Sequence, residues 1–134
     1  MMNNYFIILA SGQSKRFNSK KQKQFITYKN KALFEHSLDK AINSKFFKKI
    51  ILVVNDKKRI KKKYPKEVLI IKGGEERSDS SLIALKFIKK FKPKNVLIHD
   101  AARPNFSIKL LKKILNSLKN NKASIPVIYS KDSI

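Results

Sequence analysis

Tyr5-Phe6-Ile7-Ile8-Leu9 and Ile50-Ile51-Leu52-Val53-Val54 are unbroken apolar runs of strand length. A strand with one wet face alternates apolar and polar side chains. A strand without alternation needs cover on both faces, which is the situation inside a parallel sheet flanked by helices. Val68-Leu69-Ile70-Ile71 and Val96-Leu97-Ile98-His99 repeat the pattern, and Ser124-Ile125-Pro126-Val127-Ile128 completes the set.

Helical patterns lie between these runs. Leu33, Ser37, Leu38 and Ala41 share one face of a helix expected near Ala32 to Ser44. Leu82, Leu85, Ile88 and Lys89 follow helical spacing, with Ser80 or Ser81 near the cap. Ile108, Leu111, Ile114, Leu115 and Leu118 form the clearest apolar stripe, opposed by Lys109, Lys112, Lys113 and Lys119, with Ser107 as its N-cap. The charged segment from Lys57 to Lys66 reads as a short helix with a solvated loop. Strands alternating with helices predict βαβ units in a three-layer α/β sandwich with a mostly parallel sheet. At 134 residues the chain is one domain, 1–134.

The scarce residues of the chain then gain a location. Its three glycines are Gly12, Gly73 and Gly74, and its arginines are Arg16, Arg59, Arg77 and Arg103. All but Arg59 fall in three segments: Leu9 to Arg16, Gly73 to Ser80, and His99 to Pro104. Each segment follows a strand, and open α/β sheets bind ligands beyond the carboxyl ends of their strands. Glycine admits close approaches that a Cβ forbids, and arginine presents a rigid fork suited to phosphate. Arg59 sits in a lysine run and reads as solvated surface.

The formal charge of +23 has two readings. One is a polyanion partner, since a strongly basic surface attracts nucleic acid. The other is codon bias, because Lys, Asn, Ile and Phe dominate together and the lysines are spread along the whole chain. The spread favours the second. A hydrophobic content of 42% argues against disorder. No run approaches the ~18 apolar residues of a membrane helix. The stretch Tyr5 to Ala10 is too short for a signal-peptide core, so a cytoplasmic location is expected. With no cysteine, disulfide and thiolate chemistry are excluded.

The first segment, Leu9-Ala10-Ser11-Gly12-Gln13-Ser14-Lys15-Arg16, leaves its strand in small residues. Small residues let backbone N–H groups point at an anion. Arg16 and Lys23 then bring full positive charges. The segment is neither a Walker loop nor a dinucleotide fingerprint, and an ordinary strand–turn with surface bases is the alternative.

Together the motifs resemble one family, the 2-C-methyl-D-erythritol 4-phosphate cytidylyltransferases of the non-mevalonate isoprenoid pathway. The residues that carry the resemblance are Ala10-Ser11-Gly12-Gln13-Ser14-Lys15-Arg16, Lys23-Gln24-Phe25, Leu33-Phe34-Glu35-His36-Ser37, Gly73-Gly74-Glu75-Glu76-Arg77-Ser78-Asp79-Ser80 and an intact His99-Asp100-Ala101-Ala102-Arg103-Pro104. Asp132-Ser133 is similar to the family's Asp-Thr pair. The chain departs from the family pattern at Ser11, where the family has a second alanine, at Ser14, where it has a glycine, and at Gln22, where it has a proline. Tyr129 stands in place of the family's proline, with no role assigned. The family continues past the Asp-Thr pair into a dimerisation arm, so the resemblance implies a chain truncated at its carboxyl end.

The resemblance implies a Rossmann-like nucleotidyltransferase fold of the GT-A type and transfer of a cytidylyl group from CTP to a sugar-alcohol phosphate. Arg16 and Lys23 would be catalytic, holding the phosphates. Ala10, Ser11, Gly12 and Ser14 would line the triphosphate, and Gly74, Glu75 and Ser80 would recognise cytosine. Asp100, Ala101, Arg103 and Ser133 would face the ribose and the acceptor. Mg²⁺ would bind mainly through the triphosphate, with Asp100 as an optional ligand. A homodimer is the family's expected assembly, its arm missing here.

Each assignment has a plainer counterpart. Asp100 can serve as a turn residue, Arg77 can pair with Glu75, Glu76 or Asp79, and His99 reads as a satisfied strand-end histidine in preference to a general base. His36 reads as a partly buried helix residue. A sister activity, ribitol-5-phosphate cytidylyltransferase or another sugar-phosphate nucleotidyltransferase, would use the same loops. An inactive fragment and a charge-driven nucleic-acid binder are readings of another class.

Overall fold

The computed structural model describes residues 3–11, 27–28, 31–60, 62–103 and 105–119. Four parallel strands form the sheet: β1 (Asn4–Ala10), β4 (Lys49–Val54), β5 (Val68–Lys72) and β6 (Asn95–Asp100). Their order is β5-β4-β1-β6. A small antiparallel pair, β2 (Thr27–Tyr28) with β3 (Lys31–Ala32), precedes the first helix and had no counterpart among the sequence expectations.

The helices are α1 (Leu33–Ser44), α2 (Arg77–Ile88) and α3 (Ile108–Ser117). Strand side chains alternate between two apolar layers, as the pleat requires. Phe6, Ile8, Ala10, Ile50, Leu52 and Val54 pack with Phe34, Leu38 and Ala41 of α1 and Leu111 and Leu115 of α3. Tyr5, Ile7, Leu9, Ile51 and Val53 pack with Ala84 and Ile88 of α2. The sheet is thus covered on both sides, which explains why β1 and β4 carry no polar alternation. Both faces of β1 are buried along its whole length.

Local expectations met five corrections. Phe34, more than the half-buried Leu33, carries α1 into the core. On α3 the Ser107 hydroxyl accepts from the Leu110 N–H at 3.0 Å as the N-cap reading requires, but Ile108 is exposed. Among the described residues of the segment from Lys57 to Lys66, helical structure is limited to a 3-10 turn, Lys57–Arg59, capped by Asp56 accepting from the Lys58 N–H. On α2 the N-cap is Glu76, not Ser80 or Ser81, and its N–H donates to the Asp79 carboxylate at 3.3 Å. Leu82 and Leu85 point outward, and the buried stripe is Ser80, Ala84 and Ile88. Small residues at the first two of those positions let the amino end of α2 lie close to the sheet. The strand expected at Ser124 to Ile128 lies outside the described residues.

Candidate functional site

In this strand order β1 is flanked by β4, which follows it, and by β6, which arrives from the other half of the chain. The strand order reverses at β1, and the crevice at the carboxyl ends of β1 and β6 is where such sheets take ligands, while α1 and α3, which follow these two strands, pack on the same face. Leu9 stands opposite Asp100 in the register, and the Ala101 N–H donates to the Leu9 carbonyl at 2.9 Å. The first and third sequence segments begin at one point.

The second segment joins them from β5. The Gly73 N–H donates to the Val54 carbonyl at 2.9 Å, which carries the chain across the end of β4. The Ser80 hydroxyl, in the first turns of α2, then lies 2.5 Å from the Ser11 hydroxyl. The Gly74 N–H donates to Ser80 Oγ at 3.1 Å. Residues 11 and 80, far apart in sequence, are in direct contact, and both are buried.

The glycines owe their identity to this crowding. A Cβ on Gly73 would stand 2.5 Å from Ser80 Oγ, 2.7 Å from Ser11 Oγ and 2.7 Å from Val53 Cγ1. One on Gly74 would stand 2.6 Å from Asp79 Cβ. Neither glycine uses a positive φ, so close approach decides, not torsional freedom.

The third segment is a tight turn. Asp100 Oδ1 accepts from the Ala102 N–H at 3.0 Å, and the Arg103 N–H donates to the Asp100 carbonyl at 3.1 Å. The turn role of Asp100 is therefore real, and it uses only one carboxylate oxygen in these bonds. His99 Nε2 lies 2.7 Å from the Arg103 carbonyl. A carbonyl only accepts, so Nε2 donates. The imidazole packs edge-on to Phe106 at 4.5 Å between centroids. Burial, more than any neighbouring charge, lowers the His99 pKa from its ordinary value. His99 thus matches the satisfied strand-end reading: a neutral ring pinning the turn.

Arg103 and Arg77 are exposed, and Arg77 forms no ion pair among the described residues. Ala10, Ser11 and Ala101 are buried, and Glu75 is exposed beside Gly74. Arg16, Lys23, Gly12, Ser14 and Ser133 lie outside the described residues. Sequence reasoning passed over Asn55, at the end of β4, whose Oδ1 is buried without a partner among the described residues. Its signal was a polar residue directly after an unbroken apolar strand. The described residues contain no cluster of three carboxylate or imidazole ligands for a metal, and no helix among them is long and apolar enough to cross a membrane.

Comparison with known proteins adds a second line. The family model described as IspD, 2-C-methyl-D-erythritol 4-phosphate cytidylyltransferase, matches residues 5–134. A bifunctional enzyme IspD/IspF of Pelagibacter ubique is 53% identical over 99% of this chain and 36% of its own length. The 2-C-methyl-D-erythritol 4-phosphate cytidylyltransferase of Thermotoga neapolitana is 33% identical over 98% of this chain and 61% of its own. Among solved structures, 4-diphosphocytidyl-2C-methyl-D-erythritol synthase from Anaerococcus prevotii superposes with a TM-score of 0.77 at 30% identity, covering 98% of this chain and 57% of that one. The chain spans less than two thirds of the length of each of these relatives. A family model that spans nearly all of this chain, with a solved relative sharing its Rossmann-like fold, identifies the chain as a member of the 2-C-methyl-D-erythritol 4-phosphate cytidylyltransferase family.

Proposed function

We propose that this chain serves cytidylyl transfer from CTP to 2-C-methyl-D-erythritol 4-phosphate, yielding CDP-methylerythritol and pyrophosphate. The observation that carries the reading is the meeting of Ser11, Gly74 and Ser80 beside the β1–β6 crevice. An acceptor phosphate oxygen attacks the α-phosphorus of CTP in line, a new P–O bond forms, and the bond to the β-phosphate oxygen breaks with release of pyrophosphate. The nucleophile belongs to the substrate, so the protein's part is alignment and charge stabilisation. Arg16 and Lys23 hold the phosphates, and the segment Ala10 to Gly12 with Ser14 supplies donors to them. Gly74, Glu75 and Ser80 form the base pocket. Asp100, Ala101, Arg103 and Ser133 face the ribose and the acceptor.

The donor set suits a magnesium ion carried in by the nucleotide. Mg²⁺ ordinarily takes one or two carboxylates plus substrate phosphates. Asp100, at the end of β6, is the carboxylate the crevice offers, and the turn bond to Ala102 leaves its second oxygen for a ligand. When bound, the ion neutralises charge on the triphosphate.

The test is pyrophosphate release by the purified chain with CTP, the acceptor and Mg²⁺. Release that requires both substrates, and that falls on the order of 10²–10³-fold in Arg16→Ala, is expected. Calorimetry showing no heat with CTP and Mg²⁺ would overturn the reading.

A further inference from the structure

Ser11 is where this chain departs from the alanine of its family, and its hydroxyl is buried against Ser80. We infer that Ser11 is a positioning residue for the pyrimidine pocket: its hydroxyl fixes the Ser80 rotor, and Ser80 in turn holds the Gly74 peptide that reads the base. The inference rests on the proposed CTP site.

The hydrogen count supports this direction. A serine hydroxyl has one hydrogen and two lone pairs. Ser80 Oγ spends one lone pair on the Gly74 N–H at 3.1 Å. If Ser80 donated to Ser11, the Ser11 hydrogen would have no acceptor among the described residues. If Ser11 donates, Ser80's second lone pair is filled. Its own hydrogen then turns to the Gly74 carbonyl, 3.4 Å away. Among the described residues this arrangement alone gives every donor of the buried pair a partner, and leaving one unmade is the costlier outcome. Gly74 is then gripped at both its N–H and its carbonyl. A side chain on Gly73 would press on both hydroxyls, so the glycine keeps the pair intact.

Removing the Ser11 hydroxyl frees one lone pair and lets the Ser80 rotor turn from the Gly74 carbonyl. Ser11 belongs to the phosphate-binding segment through its backbone N–H, which alanine keeps. The two effects separate by ligand, with CTP reporting both base and phosphates and inorganic tripolyphosphate the phosphates alone. In Ser11→Ala, calorimetry should give a CTP dissociation constant raised about threefold to tenfold, the range of one net hydrogen bond. Tripolyphosphate affinity should stay within about twofold. Ser80→Ala should weaken CTP at least as much, and adding Ser11→Ala to it should change nothing further. Unchanged CTP affinity in Ser11→Ala, equal weakening of both ligands, or additive losses in the double variant would overturn the inference. If the unaltered chain bound tripolyphosphate but not CTP, or neither, the proposed function would fall with it. Retained CTP binding with an indifferent Ser11 would sink only the inference.

Discussion

The Ala101 N–H donates to the Leu9 carbonyl at 2.9 Å, so the strand that opens the chain and the strand that ends in His99-Asp100 are tied where both leave the sheet. That bond sets Asp100 beside the carboxyl end of β1, with Oδ1 committed to the Ala102 N–H. The turn needs an acceptor at Oδ1, which an amide oxygen also provides; only a ligand needs the charge. Asp100→Asn should therefore keep its melting temperature within a degree or two of the parent and lose about tenfold or more in pyrophosphate release, with a raised Mg²⁺ requirement. Asp100→Ala should lose stability as well. A Mg²⁺ titration beside a thermal melt separates the two, and full activity in Asp100→Asn would assign the residue to the turn alone.

Gly73 has no room for a methyl group. Gly73→Ala drives a Cβ against two hydroxyls and Val53, and strain of this kind costs about 1–3 kcal/mol. Ser11→Ala in the same chain removes one of the three obstacles and should recover part of the loss. Urea unfolding of the single and double variants reads the difference; strictly additive losses would mean that the Ser11 hydroxyl yields to the new methyl group without strain.

His99 predicts a pH dependence with a definite sign. Burial lowers its pKa below 6.5, opposed by the Arg103 carbonyl and by Asp100 and assisted by Lys40 and Arg103. The folded chain thus prefers the neutral ring. Its contribution to stability is complete above pH 6.5 and is lost as pH falls from there through the folded-state value. NMR titration should place the His99 midpoint below 6.5. His99→Gln keeps a donor for the Arg103 carbonyl and should remove this part of the acid sensitivity of the melting temperature. A midpoint at or above the ordinary value would refute the burial argument.

The sheet was legible because β1 and β4 need cover on both faces, and an apolar run without alternation has few other uses. The α3 helix was legible because Leu111, Leu115 and the Ser107 cap are local signals, complete within a few residues. The segments that meet at the end of the sheet were legible, but the bonds between them were not. Gly73 announced itself by rarity, yet its reason is the proximity of Ser11 and Ser80, which meet only after β1, β4 and β5 have paired. Ser11 showed as a departure from a pattern, and nothing near it in sequence could name its partner. The buried face of α2 was not legible because Leu82, Ile83, Ala84, Leu85, Phe87 and Ile88 surround the helix. Side-chain size suggested the leucines, whereas docking against the sheet selects the narrow stripe Ser80, Ala84, Ile88.

That reversal can be measured. Ile88 is 1% exposed within the layer formed with Tyr5, Ile7 and Ile51, while Leu82 is 52% exposed. Truncating a buried isoleucine removes its transfer free energy and leaves a cavity, together about 2–5 kcal/mol. An exposed leucine on the same helix has little of either to lose, and alanine there is the better helix former, so the change should stay within about 0.5 kcal/mol. Ile88→Ala and Leu82→Ala, unfolded side by side in urea, should therefore differ severalfold in cost. Equal costs would return α2 to the orientation its leucines suggest, and would turn Ser80 away from Ser11 and Gly74, so this comparison also bears on the geometry of the base pocket.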